Sequence, residues 1–217
     1  MNCVVTAGPT YEPLDDVRRL TNFSTGRLGA ELANFLVARG HRVTLLIGEM
    51  ATYTGPRRAQ QIEFYSTTAD LRKKMKAVCR KGTDAILHAA AVSDFAFGKV
   101  RKRSSHGAWT VIRSGKISTR HGLLLAEMAP TPKILPELRG WLPAAKIVGW
   151  KYEVEGGRAD ALAAAQEQLV RCAADLCVVN GPAYGSGFGL LGKKGAPAHL
   201  ADRLSLFGAL EKFVRAP

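Results

Sequence analysis

The sequence predicts an α/β fold built on a doubly wound, mainly parallel sheet, and three observations carry that expectation. Short apolar runs recur along the chain, among them NCVVTA at residues 2–7, RVTLLI at 42–47, DAILHAAAV at 84–92, KIVGW at 146–150 and DLCVVN at 175–180. Several are separated by segments whose apolar residues follow helical spacing. Gly-bearing turns close the strands, beginning with Gly8-Pro9. Strands alternating with helices are the pattern of a parallel sheet joined by right-handed crossovers.

Each element has a local reason. The run at 2–7 reads as a buried strand and stops at a Gly-Pro turn that cannot continue a ladder. Leu28, Leu32, Phe35 and Leu36 then share one helix face until Gly40 ends it. Residues 42–47 and 62–65 are the second and third strands. Thr67 or Thr68 caps a helix that carries Leu71, Met75 and Val78 on one face. Residues 84–92 form a fourth buried strand and 146–150 a fifth. An alanine-rich helix covers 158–172, the sixth strand spans 175–180, and a helix over 200–214 closes the chain. Residues 97–125 depart from the alternation. Basic, Ser- and Gly-containing turns there separate short β-like pieces, which predicts an excursion off the sheet, either a hairpin or a flap. The GSGFG cluster at 185–189 has no helix pattern after it and reads as a loop. No internal repeat or low-complexity tract appears, so residues 1–217 read as a single domain.

Composition narrows the function classes. Hydrophobic residues make up 47% of the chain, enough for an ordinary core. No apolar run reaches the ~18 residues of a membrane span, and residues 1–20 lack a signal-peptide pattern. Cys3, Cys79, Cys172 and Cys177 show no C-x-x-C and no zinc spacing, so they are expected as reduced thiols in a cytoplasmic protein with no protein-built metal site. The formal net charge of +13 points to polyanionic partners: phosphorylated small molecules, an acidic surface or nucleic acid. The basic run GKVRKR at 98–103 lacks interleaved aromatics for base stacking, which disfavours nucleic acid.

In doubly wound sheets ligands sit beyond the carboxyl ends of the strands, where helix N-termini and free amides bind anions. The turns TAGPT and FSTGRLG both belong to that edge. An NAD(P)-dependent reductase of the short-chain type is one reading of TGRLGAELA. Against it, residues 11–20 split the glycines, no Tyr has a Lys four positions later, and the nearest acid to the second strand, Glu49, follows Gly48.

Taken together, TAGPTYEPLDDVRRLTNFSTGRLGAELA resembles the opening signature of phosphopantothenate–cysteine ligases (phosphopantothenoylcysteine synthetases): T-A-G-x-T-x-E, then D-x-V-R, N-x-S-[ST]-G and a helix glycine. Thr6, Ala7, Gly8, Thr10, Glu12, Asp16 or Asp15, Val17, Arg18, Asn22, Ser24, Thr25, Gly26 and Gly29 carry it. HAAAVSDF at 88–95, GKIST at 115–119, PTPKIL at 130–135, IVGWKYE and DLCVVN extend the likeness to about residue 180. Three positions depart from it. Where many bacterial members carry lysines in the helix before the sixth strand, this chain has Gln168 and Cys172. Lys151 follows Trp150 where a small residue is usual.

The resemblance implies a Rossmann-like fold and a two-step ligation. Carboxylate of 4′-phosphopantothenate attacks CTP or ATP, with Mg²⁺, and cysteine then takes the acyl group. A homodimer is implied, with the 97–125 excursion near its interface or active site. By position, Gly8, Pro9, Thr10, Ser24, Thr25 and Gly26 should present amides and hydroxyls to phosphate, with Ala89, Ala90, Pro132, Lys133, Ile134 and Lys151 completing the nucleotide site. Asn22 is expected at the acyl oxygen, with an Asx-turn as the alternative, and the detour through residues 11–20 would serve to put it there. Lys116 is expected to neutralise the triphosphate; a solvated lysine is the alternative. Asp94 is assigned to the ribose, base or Mg²⁺, or else to a helix cap. Trp150 stacks on the base or belongs to the core, and His88 reads as a core histidine. A nucleotide-binding homologue without ligase activity is the remaining alternative, raised by Gln168 and Cys172.

Overall fold

Strand β1 (Asn2–Ala7) is buried along five of its six residues and lies within the main sheet, flanked on both sides. The computed structural model describes residues 1–79 and 82–216. After β1 the chain forms a hairpin of β2 (Tyr11–Pro13) and β3 (Arg19–Thr21), then α1 (Arg27–Ala38), β4 (Arg42–Gly48), β5 (Gln61–Tyr65), α2 (Thr68–Val78) and β6 (Ala85–His88). There follow β7 (Phe95–Arg103), β8 (Trp109–Val111), β9 (Leu124–Pro130), the short α3 (Leu138–Trp141), β10 (Lys146–Tyr152), α4 (Arg158–Arg171) and β11 (Leu176–Asn180). The chain ends with β12 (Phe188–Gly192), β13 (Ala198–Leu200) and α5 (Arg203–Arg215).

The main sheet has the order β13-β12-β11-β10-β6-β1-β4-β5. Its six parallel members, taken in chain order, run 3-2-1-4-5-6, the doubly wound arrangement in which the strand order reverses beside β1. Period-two alternation distributes the side chains to two faces. Cys3, Val5 and Ala7 pack with Leu32, Ala33 and Leu36 of α1 and with Leu206, Phe207 and Leu210 of α5. Val4, Leu46 and Ile86 face the other way, onto Leu71 and Met75 of α2 and Leu138 of α3. Helix α4 covers Cys177 and Val179 through Ala161, Ala165 and Leu169. All four cysteines are free and buried.

Four expectations need correction. The strand expected over 84–92 keeps only Ala85–His88, because Ala90 N–H turns to the Thr6 hydroxyl (3.0 Å) and Ala91 bridges Pro9 outside the ladder. The glycine cluster taken as a loop leads into antiparallel β12, made possible by Gly187 at φ +76°, where a Cβ would stand 2.5 Å from the Leu200 carbonyl. The last helix begins at Arg203 rather than 200, since Asp202 caps it by accepting from Ser205 N–H, and residues 198–200 pair with β12. The excursion is wider than 97–125: β7, β8 and β9 make a separate three-stranded antiparallel sheet that starts at Phe95 and ends at Pro130.

Candidate functional site

The site grows out of the turn after β1. Gly8 and Gly26 both adopt left-handed backbone, at φ +80° and +78°, which glycine enters without strain. A Cβ on Gly26 would lie 2.9 Å from Ala51 Cβ and 3.3 Å from Gly8 Cα, so the two glycine turns touch. The segment after β6 wraps the same place. Thr10 N–H donates to the Ala91 carbonyl (3.1 Å), Ala91 N–H returns a bond to Gly8 (2.9 Å), and Ser93 N–H donates to the Thr10 hydroxyl (2.8 Å). Gly8, Pro9, Thr10, Ala89, Ala90 and Asp94 therefore meet at the reversal point of strand order, where this sheet architecture binds ligands. Thr10 is fully buried, with its hydroxyl also 3.3 Å from that of Thr68; it braces the turn and leaves little for a phosphate.

The hairpin of β2 and β3 delivers Asn22 to this point. Tyr11 N–H bonds Ser66 (3.0 Å), buried Glu12 accepts from Thr68 N–H (2.9 Å) at the start of α2, and the Thr21 hydroxyl donates to the Thr10 carbonyl (2.9 Å). Asn22 itself is exposed and donates through Nδ2 to the Ala91 carbonyl (3.1 Å). One amide hydrogen and the side-chain oxygen remain for a ligand.

Helix α1 then opens with Gly26 as a cap that offers no side-chain acceptor and with no acidic residue in its first turn. Arg27 N–H donates to the Thr25 hydroxyl (3.3 Å), and the Leu28 N–H that follows it is available to an anion. Beside that helix end lies a cavity of about 840 Å³, bordered by Thr25 and Arg27, by Tyr152 and Asn180 at the ends of β10 and β11, and by Phe188 and Arg203. Glu31 bridges the two arginines, 2.6 Å from Arg27 Nε and 3.0 Å from Arg203 Nε.

The remaining expected residues separate by environment. Asp94 is exposed and ion-paired with Lys133; strand β7, not a helix, follows it, so it is not a helix cap. Pro132 is exposed beside them, whereas Ile134 is buried among Leu46, Ile86 and Leu138. Trp150 is half-buried against the α1 side of the core, and its Nε1–H, among the described residues, has no acceptor. Lys151 is held by Glu153 at 2.8 Å. Gln168 donates to the Trp150 carbonyl (3.0 Å) and Cys172 is buried, so the α4 face that abuts β10 carries no cation at these two positions. His88 is buried, and burial pushes its imidazole down to about 4. Lys116 lies on the chain that leaves β8, exposed, and no partner for its ammonium is found among the described residues. The turn of residues 8–10 and the hairpin also cover the end of β4: the Pro9 carbonyl lies 2.1 Å from where a Gly48 Cβ would be, and Tyr11 OH bonds Glu49 (3.3 Å). A dinucleotide ribose would need that strand end open.

Residues 1–196 match the family described as the DNA/pantothenate metabolism flavoprotein C-terminal domain. The chain belongs to this family. The coenzyme A biosynthesis bifunctional protein CoaBC of Thermococcus kodakarensis is 31% identical over 178 residues, covering 82% of this chain and 40% of that protein. Its namesake from Mycolicibacterium smegmatis is 34% identical over 188 residues, covering 83% of this chain and 42% of that protein. The chain thus spans less than half the length of these relatives. A DNA/pantothenate metabolism flavoprotein from Streptococcus pneumoniae has the same fold, with a TM-score of 0.81 at 25% identity over 98% of each chain. Around the cavity, Arg27, Glu31, Arg203, Tyr152, Asn180 and Phe188 are candidates that the sequence did not single out. The one available signal was Arg27, which follows the S-T-G turn directly.

Proposed function

We propose that this domain joins 4′-phosphopantothenate to cysteine through an acyl-nucleotidylate, consuming CTP or ATP, as a step of coenzyme A biosynthesis. The observation that carries the proposal is the meeting of Asn22, the Gly8 and Gly26 turns and the start of α1 beside a cavity of about 840 Å³ in a chain of this family. In the first step a carboxylate oxygen of phosphopantothenate bonds to the α-phosphorus, the bond to the β-phosphate bridging oxygen breaks, and pyrophosphate leaves. In the second, the cysteine nitrogen bonds to the acyl carbon, the acyl–oxygen bond breaks, the nucleoside monophosphate leaves and the amine loses its proton.

The residues act on charge. Ser24, Thr25 and the Leu28 N–H receive phosphate, and Arg27 and Arg203 raise the field in the cavity. Lys116 neutralises the triphosphate as charge moves to the leaving pyrophosphate. The free Nδ2 hydrogen of Asn22 serves the acyl oxygen while the amine attacks. Among the described residues no group of three His, Cys, Asp or Glu side chains could cage a metal. That donor set suits Mg²⁺ carried on the substrate's own phosphates and water, with Asp94 as the nearby carboxylate. When bound, Mg²⁺ would supply charge neutralisation to the triphosphate, with Asp94 as the residue that would hold it.

A homodimer is part of the proposal. Trp109, Val111 and Leu125 are exposed on one face of the small sheet, beside Arg101 and Arg103, and offer apolar side chains to another chain. The test is to mix the protein with phosphopantothenate, cysteine, Mg²⁺ and either CTP or ATP, and to measure pyrophosphate and the coupled product. No pyrophosphate with either nucleotide refutes the ligase. Nucleotide binding without turnover would favour the second reading, an inactive homologue, to which Gln168 and Cys172 point.

A further inference from the structure

Residues 115–117 are held by the hairpin rather than by a sheet, and the contacts centre on one carboxylate. The Asp15 side chain is 1% exposed. Its Oδ2 accepts from Ile117 N–H (3.1 Å) and Arg18 Nε (3.1 Å), and its Oδ1 accepts from the N–H groups of Val17 (3.1 Å) and Arg18 (2.8 Å). The Arg18 guanidinium then donates to the Ile117 carbonyl at 2.8 Å, and Asp16 N–H donates to the Gly115 carbonyl at 2.8 Å. Gly115 is in such close contact that a Cβ there would stand 2.1 Å from Asp16 Oδ2. Of residues 113–120 only Ile117 is buried. The backbone is therefore gripped on both sides of Lys116 while the Lys116 side chain stays in solvent. The Arg18 guanidinium, with the N–H groups of Ile117, Val17 and Arg18, also keeps Asp15 ionised, well below the usual carboxylate range.

Resting on the assignment of Lys116 to the activation step, we propose that Asp15 is the positioning residue for Lys116, fixing the 115–117 backbone so that the ammonium meets the triphosphate. A segment with so little burial of its own has few other contacts to hold it. In Asp15→Asn the side chain keeps its shape, but one acceptor oxygen becomes an NH₂ facing N–H groups. A second variant, Arg18→Gln, removes the guanidinium's bonds to Asp15 and to the Ile117 carbonyl while leaving Asp15 in place.

The test combines amide hydrogen exchange, read by mass spectrometry on the full chain, with pyrophosphate release. In both variants the peptide spanning 113–120 should exchange at least about tenfold faster, with the peptides of β1 and β6 unchanged. Pyrophosphate release at saturating nucleotide should fall by about tenfold or more, in kcat rather than KM. Adding Asp15→Asn to Lys116→Gln should cost less than about a further twofold, because the two residues act as one unit. Unchanged exchange at 113–120 overturns the clamp. Full additivity with Lys116→Gln overturns the link to Lys116. A wild-type protein that releases no pyrophosphate overturns the functional reading and the catalytic half of this inference together, and the exchange measurement then decides the clamp alone.

Discussion

His88 should make the fold acid-sensitive in a window its neighbours define. It pairs with Thr6 and Gly149 in the centre of the sheet and is 6% exposed. The Thr6 hydroxyl accepts from Ala90 N–H and lies 2.8 Å from His88 Nδ1, a hydrogen bond that a neutral ring makes in either tautomer. Burial lowers the imidazole from its ordinary 6.5 to about 4. Below pH 6.5 the unfolded chain binds a proton that the folded chain refuses, so stability is lost as pH falls and the loss levels off below about pH 4. At about 1.4 kcal/mol per pH unit, the full loss is about 3 kcal/mol, of which about 2 kcal/mol is gone by pH 5. The assay is urea unfolding of wild type and His88→Gln from pH 7.5 to 4. The variant carries a constant offset from repacking but lacks this component, so the gap between the two curves should narrow on acidification. Parallel curves across that range would refute the argument, and the imidazole would then not be neutral by burial.

Three other outcomes follow from the geometry. Gly29→Ala should destabilise by about 1–3 kcal/mol in urea unfolding, because its Cβ would lie 2.6 Å from Ala7 Cβ and 2.8 Å from the Thr6 carbonyl, forcing α1 away from β1. Lys116→Gln should slow pyrophosphate release by a factor corresponding to about 1.5–3 kcal/mol with melting unchanged, since the residue is exposed; a collapsed melting temperature would make it structural. Asn22→Ala should lower the rate of the second step on the order of 10²–10³-fold and Asn22→Asp by more, with enzyme-bound acyl-nucleotidylate accumulating in acid-quenched mass spectra. Normal turnover by both Asn22 variants, or failure before pyrophosphate appears, would remove Asn22 from that role.

The six parallel strands were legible because each is a short apolar run whose period and bounding turns admit few alternatives. Strand β12 was not, because Gly185, Gly187 and Gly189 mask a β pattern and its partners are fixed by long-range pairing with Leu200 and Val179. The run at 84–92 looked like one strand since Ala and Val satisfy a strand and a wrapping loop equally. What separates them is the Thr6 hydroxyl, 84 residues from Ala90. In the site, the glycine turns could be read from spacing within thirty residues of chain, and Asn22 from the family motif that this stretch resembles. Arg203, which shares Glu31 with Arg27, arrives from the far end of the chain, and no local pattern announces that meeting.

The detour through residues 11–21 is the clearest case of sequence reasoning reaching half of a cause. The resemblance to the ligase family suggested that it carries Asn22 to a new position, and Asn22 bonds the Ala91 carbonyl at the reversal point. A loop serving only that purpose could be short and polar. The hairpin instead spends Glu12 on α2, Thr21 on the turn after β1, and Asp15, Asp16 and Arg18 on residues 115–117. Each of those partners belongs to a different part of the fold, and each bond is directional. Moving the hairpin as a body would therefore shift Asn22 and the Lys116 backbone together. If the two residues serve successive steps on one bound substrate, their separation must stay constant while the nucleotide enters and pyrophosphate leaves. A rigid hairpin tied at several points supplies that constancy; two independent loops would not.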